Sequence, residues 1–120
     1  MAGKFCVSLT CAKDDTDKAT VAFVVANAAL GSEKETMVFL STEGVRLGER
    51  GYADDVHEDG FMPLRELMDI FAEGGGTLYV CAPCFKKRGL DEDNLVDGAV
   101  IVGGAKLVEF LSDGTPCVTY

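Results

Sequence analysis

The sequence predicts an α/β fold, with a mainly parallel five-stranded sheet and helices on both faces. Three observations carry that expectation. Short runs of β-branched and apolar residues alternate along the chain with stretches of helical pattern, the order that parallel sheets with crossover helices produce. Met37-Val38-Phe39-Leu40 is continuously apolar, which suits a strand covered on both sides. The junctions carry residues that start and stop helices, among them Asp14-Asp15-Thr16, Gly31, Pro63 and Gly74-Gly75-Gly76.

Residues 4–10 read as the first strand. Asp14, Asp15 or Thr16 then caps a helix that runs to about Leu30 and stops at Gly31. Over residues 19–30 that helix has almost no polar face, so it must be buried on more than one side. In so small a domain the expected second cover is another subunit. Residues 35–41 form the second strand. Residues 42–59 are polar and glycine-bearing and read as a loop, with a helical turn at 45–47. Pro63 opens a second helix at a first-turn position, with Leu64, Leu67, Met68 and Phe71 as its apolar stripe. The triple glycine ends it and reads as a turn, since a phosphate loop would lead into a helix and none follows. Residues 77–81 are the third strand, and a turn over 83–87 stops at Gly89. A short turn at 91–95, a fourth strand at 100–102, a helix at about 105–111 and a last strand at 116–120 complete the chain.

A chain of 120 residues is one domain, 1–120, large enough to bury a core. Its net charge of −9 speaks against a nucleic-acid backbone as the main ligand, because that needs a basic surface. Acids crowd residues 14–17, 54–59 and 91–93, whereas Lys86-Lys87-Arg88 stand together. That basic island suits an anion or an acidic partner surface, or else is a solvated helix face. The longest nearly apolar stretch, 21–30, is half of what spans a bilayer, and Lys4 and Ser8 interrupt the only early apolar run. Neither a membrane nor a signal peptide is expected, and a cytoplasmic location is. Five cysteines, an odd number, fit reduced thiols better than a disulfide framework.

Chemistry concentrates at Cys81-Ala82-Pro83-Cys84, between the apolar run Thr77-Leu78-Tyr79-Val80 and the basic cluster. A cysteine where a strand turns into a helix lies near unpaired backbone N–H groups and the positive end of the helix dipole. Both favour the reactive thiolate, and Lys86, Lys87 and Arg88 are expected to push the same way. Cys84 is the candidate second thiol. Cys11 follows the first strand at the same end of the sheet, where open α/β sheets bind ligands, and is a supporting candidate. Cys6 and Cys117 read as core or edge residues. His57, the only histidine, stands among Asp55, Glu58 and Asp59 and reads as a solvated loop residue, or as a proton donor if that loop closes over the thiols.

Leu78-Tyr79-Val80-Cys81, then Lys86-Lys87-Arg88-Gly89-Leu90, then Gly98-Ala99-Val100-Ile101-Val102-Gly103 resemble the DsrE/DsrF-like family in order and spacing. Asp14-Asp15 before Lys18-Ala19, and Phe39-Leu40-Ser41-Thr42-Glu43-Gly44-Val45, match its first two βα units, so the resemblance runs from about Gly3 to Tyr120. It implies a flavodoxin-like three-layer fold and assembly into homotrimers or homohexamers. It also implies a persulfide carrier or sulfurtransferase-type relay, with Cys81 at the sulfur-bearing position and a sulfur-donor or acceptor protein as partner. Cys84 departs from the single-cysteine carriers of the family. It permits discharge of a Cys81 persulfide with sulfide release and an internal disulfide.

Three other readings compete. Cys-x-Pro-Cys before a helix is also a thioredoxin-like form, and Pro116 could stand as its downstream proline. The pair, however, follows a third strand late in the chain, and no final hairpin and helix come after it. Thiol–disulfide chemistry on the present fold remains open. Zinc would need Cys11 and His57 to complete two thiolates, and the pair of glycines at 103–104 is weak grounds for a nucleotide, so neither metal nor cofactor is expected. The last reading is a non-catalytic oligomeric scaffold or small-ligand module, which slow alkylation at both Cys81 and Cys84 would reveal.

Overall fold

The computed structural model describes residues 3–120. Strands β1 (Lys4–Leu9), β2 (Glu35–Leu40), β3 (Thr77–Cys81), β4 (Ala99–Val102) and β5 (Cys117–Thr119) form one sheet in the order β4-β3-β2-β1-β5. Every neighbouring pair is parallel, as the apolar β2 run led us to expect for a central strand. The helices are α1 (Thr16–Gly31), α2 (Leu64–Glu73), α3 (Ala82–Lys87) and α4 (Gly104–Leu111). Asp15 caps α1 by accepting from the Lys18 N–H at 3.1 Å, a contact worth about 1 kcal/mol. Pro63 is the cap of α2 and not its first residue, because its ψ of 142° is still extended. Gly74-Gly75-Gly76 ends α2 as expected. Gly75 has φ +88°, and the Phe71 ring occupies the place where a side chain at Gly76 would begin.

Alternation along the strands divides the core. Val7, Leu9, Val38, Leu40, Leu78 and Val80 belong to the main core with α1 and α2, where Phe23 meets Phe71 edge-on at 5.8 Å. Cys6, Met37 and Phe39 form a smaller cluster on the other face, under Leu107, Phe110 and Leu111 of α4. Helices thus lie on both faces, but unequally. Within the chain α2 covers one side of the apolar helix α1, bound in part through Asn27 Nδ2 donating to the Leu67 carbonyl at 3.0 Å, while Val21, Val24, Val25 and Leu30 stay only half-buried. Large apolar side chains are exposed at β4 and α4, where Val100 is 50% and Val108 68% exposed, and also at Met62 and Ile70. No helix among the described residues is long and apolar enough to cross a membrane.

Residues 42–59 are less of a loop than their composition suggests. Thr42–Gly48 is a 3₁₀ segment, longer than the expected turn at 45–47. Val45 and Leu47 are fully buried and hold it down, and Gly44 lets its backbone lie on the end of β1: a side chain there would strike the Leu9 carbonyl oxygen. This segment becomes one wall of the site.

Candidate functional site

β3 ends on Cys81, which is also the cap residue of α3. Ala82 and Pro83 fill the first two helical positions, where proline's missing N–H costs nothing, and Cys84 is the third. A cap side chain ordinarily faces the N–H of the third residue, so a Cys-x-x-Cys at a strand–helix junction directs the second cysteine's amide at the first one's sulfur. No cap hydrogen bond of full geometry closes here, yet that N–H is near enough to favour the Cys81 thiolate. Phe85, fully buried, anchors the short helix. Both thiols are half-buried against the main core, and Cys81 touches the opposite-face cluster as well. The Cys84 thiol is close enough for its charge to raise the pKa of Cys81.

The expectation of an activated thiolate needs correction. Burial pushes the Cys81 thiol above its ordinary value, the Cys84 N–H pulls it back in part, and the neighbouring Cys84 thiol pushes it up again. Helix α3 has only six residues, so its dipole is short. The basic cluster does not supply the missing stabilisation. Lys86 and Lys87 lie exposed in the last turn. Arg88 turns inward to a different task. Its Nε donates to Glu43 Oε1 at 2.9 Å and its guanidinium donates to the Cys84 carbonyl at 3.1 Å.

Glu43 was not singled out by sequence, and it organises this wall. Its carboxylate also accepts from Arg46 Nε at 2.6 Å, so one acid on the 3₁₀ segment joins two arginines and fastens α3 across 45 residues of chain. The Arg88 hydrogen bond is the main reason its carboxyl is held below the usual carboxylate range. No local pattern announces a pairing of that separation. Thr42 beside it has φ +49°, unusual for a β-branched residue. Its hydroxyl is held by the carbonyls of Thr10 and Ser41, both at 2.7 Å. Beyond α3 the chain is strapped back by Val96 N–H to the Gly48 carbonyl at 2.8 Å and Arg50 N–H to the Asn94 carbonyl at 3.0 Å.

Cys11 lies two residues beyond β1, buried in the main core, with its thiol pushed up chiefly by burial. Strand β2 stands between β1 and β3, so Cys11 does not join the dithiol. His57 is exposed, with a ring nitrogen 2.8 Å from the Phe61 carbonyl. It lines a shallow cleft with Lys13, Thr16, Asp55 and Glu58 that includes no cysteine. Lys13 pins that loop to the start of α1 by an ion pair to Asp55 at 2.9 Å. Among the described residues no group of three or more His, Cys, Asp or Glu side chains could hold a metal ion. A cavity of about 510 Å³ lies at the other end of the strands, with Met68, Phe71 and Leu78 in its lining and no cysteine.

The DsrE/DsrF-like family model matches residues 3–120. The chain is 30% identical over 117 residues to the uncharacterized protein MJ0989 of Methanocaldococcus jannaschii, covering 98% of this chain and 99% of that protein. It is 31% identical over 98 residues to MJ0760 of the same organism, also uncharacterized, matching 82% of this chain but only 36% of that longer protein. Among solved structures, the ychN protein of E. coli superposes with a TM-score of 0.83 at 18% identity, over 98% of this chain and 99% of that one. MTH1491 from Methanobacterium thermoautotrophicum, a protein of unknown function, superposes with a TM-score of 0.66 at 17% identity, over 98% and 100% of the two chains. At those identities the structural likeness speaks for the fold alone.

Proposed function

The chain belongs to the DsrE/DsrF-like family, and we propose that it carries sulfane sulfur on Cys81, with Cys84 as the second thiol. The observation that carries this reading is the meeting of two free, half-buried, neighbouring thiols at the carboxyl end of an interior parallel strand. In loading, the Cys81 sulfur attacks the outer sulfur of a donor persulfide. The donor S–S bond breaks, the donor leaves as a thiol with the proton Cys81 gave up, and Cys81 becomes the persulfide. In discharge, the deprotonated Cys84 sulfur attacks the inner sulfur of that persulfide, hydrosulfide leaves with the bonding pair, and a Cys81–Cys84 disulfide forms. A dithiol reductant then reopens it.

A raised Cys81 thiol fits a carrier better than an enzyme that attacks small oxidants unaided, since only a small thiolate fraction is present at neutral pH. The exposed Lys86 and Lys87 beside the pair suit docking of an acidic donor or acceptor protein. Exposed Val100 and Val108 support self-assembly into a trimer or hexamer, and five free cysteines support a reducing compartment such as the cytoplasm.

The test is intact mass measurement, with peptide mapping, after treatment with polysulfide. Wild type is expected to lose two hydrogens at the Cys81–Cys84 peptide, Cys84→Ser to retain an added sulfur, and Cys81→Ser to do neither there. Sulfur uptake by Cys81→Ser equal to wild type would overturn the assignment. The nearness of the two thiols also favours a second reading, thiol–disulfide exchange. That reading gains if Cys84→Ser never holds sulfur yet forms a mixed disulfide with a small disulfide.

A further inference from the structure

A second pair of thiols lies outside this site. In the parallel ladder between β1 and β5, Cys6 stands directly opposite Cys117. Partners opposite one another in a sheet have Cα atoms about 4.8 Å apart, inside the range that a disulfide spans. Both side chains project from the same sheet face, and the Cys117 thiol is near enough to raise the pKa of Cys6. Their exposure differs sharply: Cys6 is 0% exposed beneath α4, while Cys117 is exposed on the edge strand. β5 itself is only three residues long. It is held by Cys6 N–H to the Pro116 carbonyl at 3.0 Å, Tyr120 N–H to the Ser8 carbonyl at 2.9 Å and Thr10 N–H to the Tyr120 carbonyl at 3.0 Å.

We propose that Cys117 is a thiol-exchange site for low-molecular-weight disulfides and that Cys6 resolves it, closing a cross-strand Cys6–Cys117 disulfide that ties the C-terminal strand to β1. In the first step the Cys117 sulfur attacks the small disulfide R–S–S–R, whose S–S bond breaks to release one R–SH and leave a mixed disulfide on Cys117. In the second the Cys6 sulfur attacks the Cys117 sulfur of that mixed disulfide. The second R–SH leaves, and the protein has lost two hydrogens to the two product thiols. The protein thiols are oxidised by two electrons and the small disulfide is reduced by two. The order follows from access, since Cys6 cannot meet a solvent-borne disulfide. Burial and the neighbouring Cys117 push the Cys6 thiol up to about 12, so it waits as a thiol until Cys117 carries a leaving group. This pair is independent of Cys81 and Cys84.

The experiment incubates the wild-type protein with oxidised glutathione, quenches free thiols and digests with trypsin without reduction. Cleavage at Lys4, Lys13 and Lys106 places Cys6 and Cys11 in peptide 5–13 and Cys117 in peptide 107–120, away from the Cys81–Cys84 peptide. The expected product joins 5–13 to 107–120 with a loss of two hydrogens, and fragmentation places the link at Cys6. Cys6→Ala is expected to leave one persistent glutathione on Cys117. The proposal is overturned if wild type holds glutathione on Cys117 as persistently as Cys6→Ala, if the link falls on Cys11, or if Cys117 is not modified. Because the two thiol pairs lie on different peptides, a failure here leaves the Cys81–Cys84 reading standing, and the converse holds as well.

Discussion

Replacing Glu43 by Gln tests whether the wall of the site is held by charge. The substitution keeps the shape and one acceptor oxygen, but removes the charge that Arg88 and Arg46 share. A hydrogen bond to a charged group contributes about 1.5–3 kcal/mol when well buried. Here the Arg88 side chain is 18% exposed and the Glu43 side chain 33%, so screening reduces the combined loss to about 1–2 kcal/mol. Urea unfolding at pH 7 should show this as a lower midpoint with an unchanged slope. The pH dependence has a definite sign. The Glu43 carboxyl is held below its usual range in the folded protein, so its stabilisation is present above the ordinary value of about 4.3 and is lost as pH falls through the lower folded value. The gap between wild type and Glu43→Gln should therefore be full at pH 7 and close below about pH 4. Arg88, no longer neutralised, stands beside Cys84. A charge at that range in a solvent-like medium contributes about 0.5–1 kcal/mol, enough to speed alkylation of the pair roughly twofold to fivefold. Equal midpoints at pH 7 together with unchanged alkylation would refute the argument.

Two further outcomes follow from the same wall and from the bare edge of the sheet. Gly44→Ala drives a methyl group into the Leu9 carbonyl, with the Leu9 carbon at 3.1 Å and the Cys11 oxygen at 3.4 Å, all backbone. With nothing able to swing away, the loss should be about 3 kcal/mol in urea unfolding, at the upper end of overpacking costs. Light scattering at micromolar concentration should give at least a trimer, and Val108→Asp should reduce it; a wild-type monomer of 12.8 kDa would remove the assembly proposal.

What sequence could and could not show separates by range. β3, the cap of α1 and the glycine stop at 74–76 were legible because their causes are local: an apolar run, an acid before a helical pattern, a chain reversal that only glycine makes easily. The Cys81–Cys84 pair was legible because three residues of spacing at a strand–helix junction nearly fix its geometry. Two features were hidden. The 3₁₀ segment carries charged and glycine residues between Val45 and Leu47, so its burial is a tertiary event. Arg88 reads as one more cation until Glu43 arrives from 45 residues away to neutralise it. Each miss came from treating a residue as facing solvent when a distant element of the same chain covers it.

The two thiol pairs are separated by the sheet itself, and that separation bears on what Cys81 can carry. Cys6 registers with Met37, and Met37 with Thr77, so Cys81 lies four residues further along β3 and two strands across. At strand spacings of about 4.8 Å and a rise of about 3.3 Å per residue, that is roughly 10 Å across and 13 Å along, far beyond disulfide reach. Sulfur placed on Cys81 is therefore out of range of Cys6 and Cys117, and β2 keeps it from Cys11 on the far side. The one thiol able to remove it within the chain is Cys84, itself tied through its backbone carbonyl to Arg88 and so to Glu43. On the proposed carrier reading, retention or release of that sulfur would turn on the position of a six-residue helix held by the buried Phe85 and by Arg88.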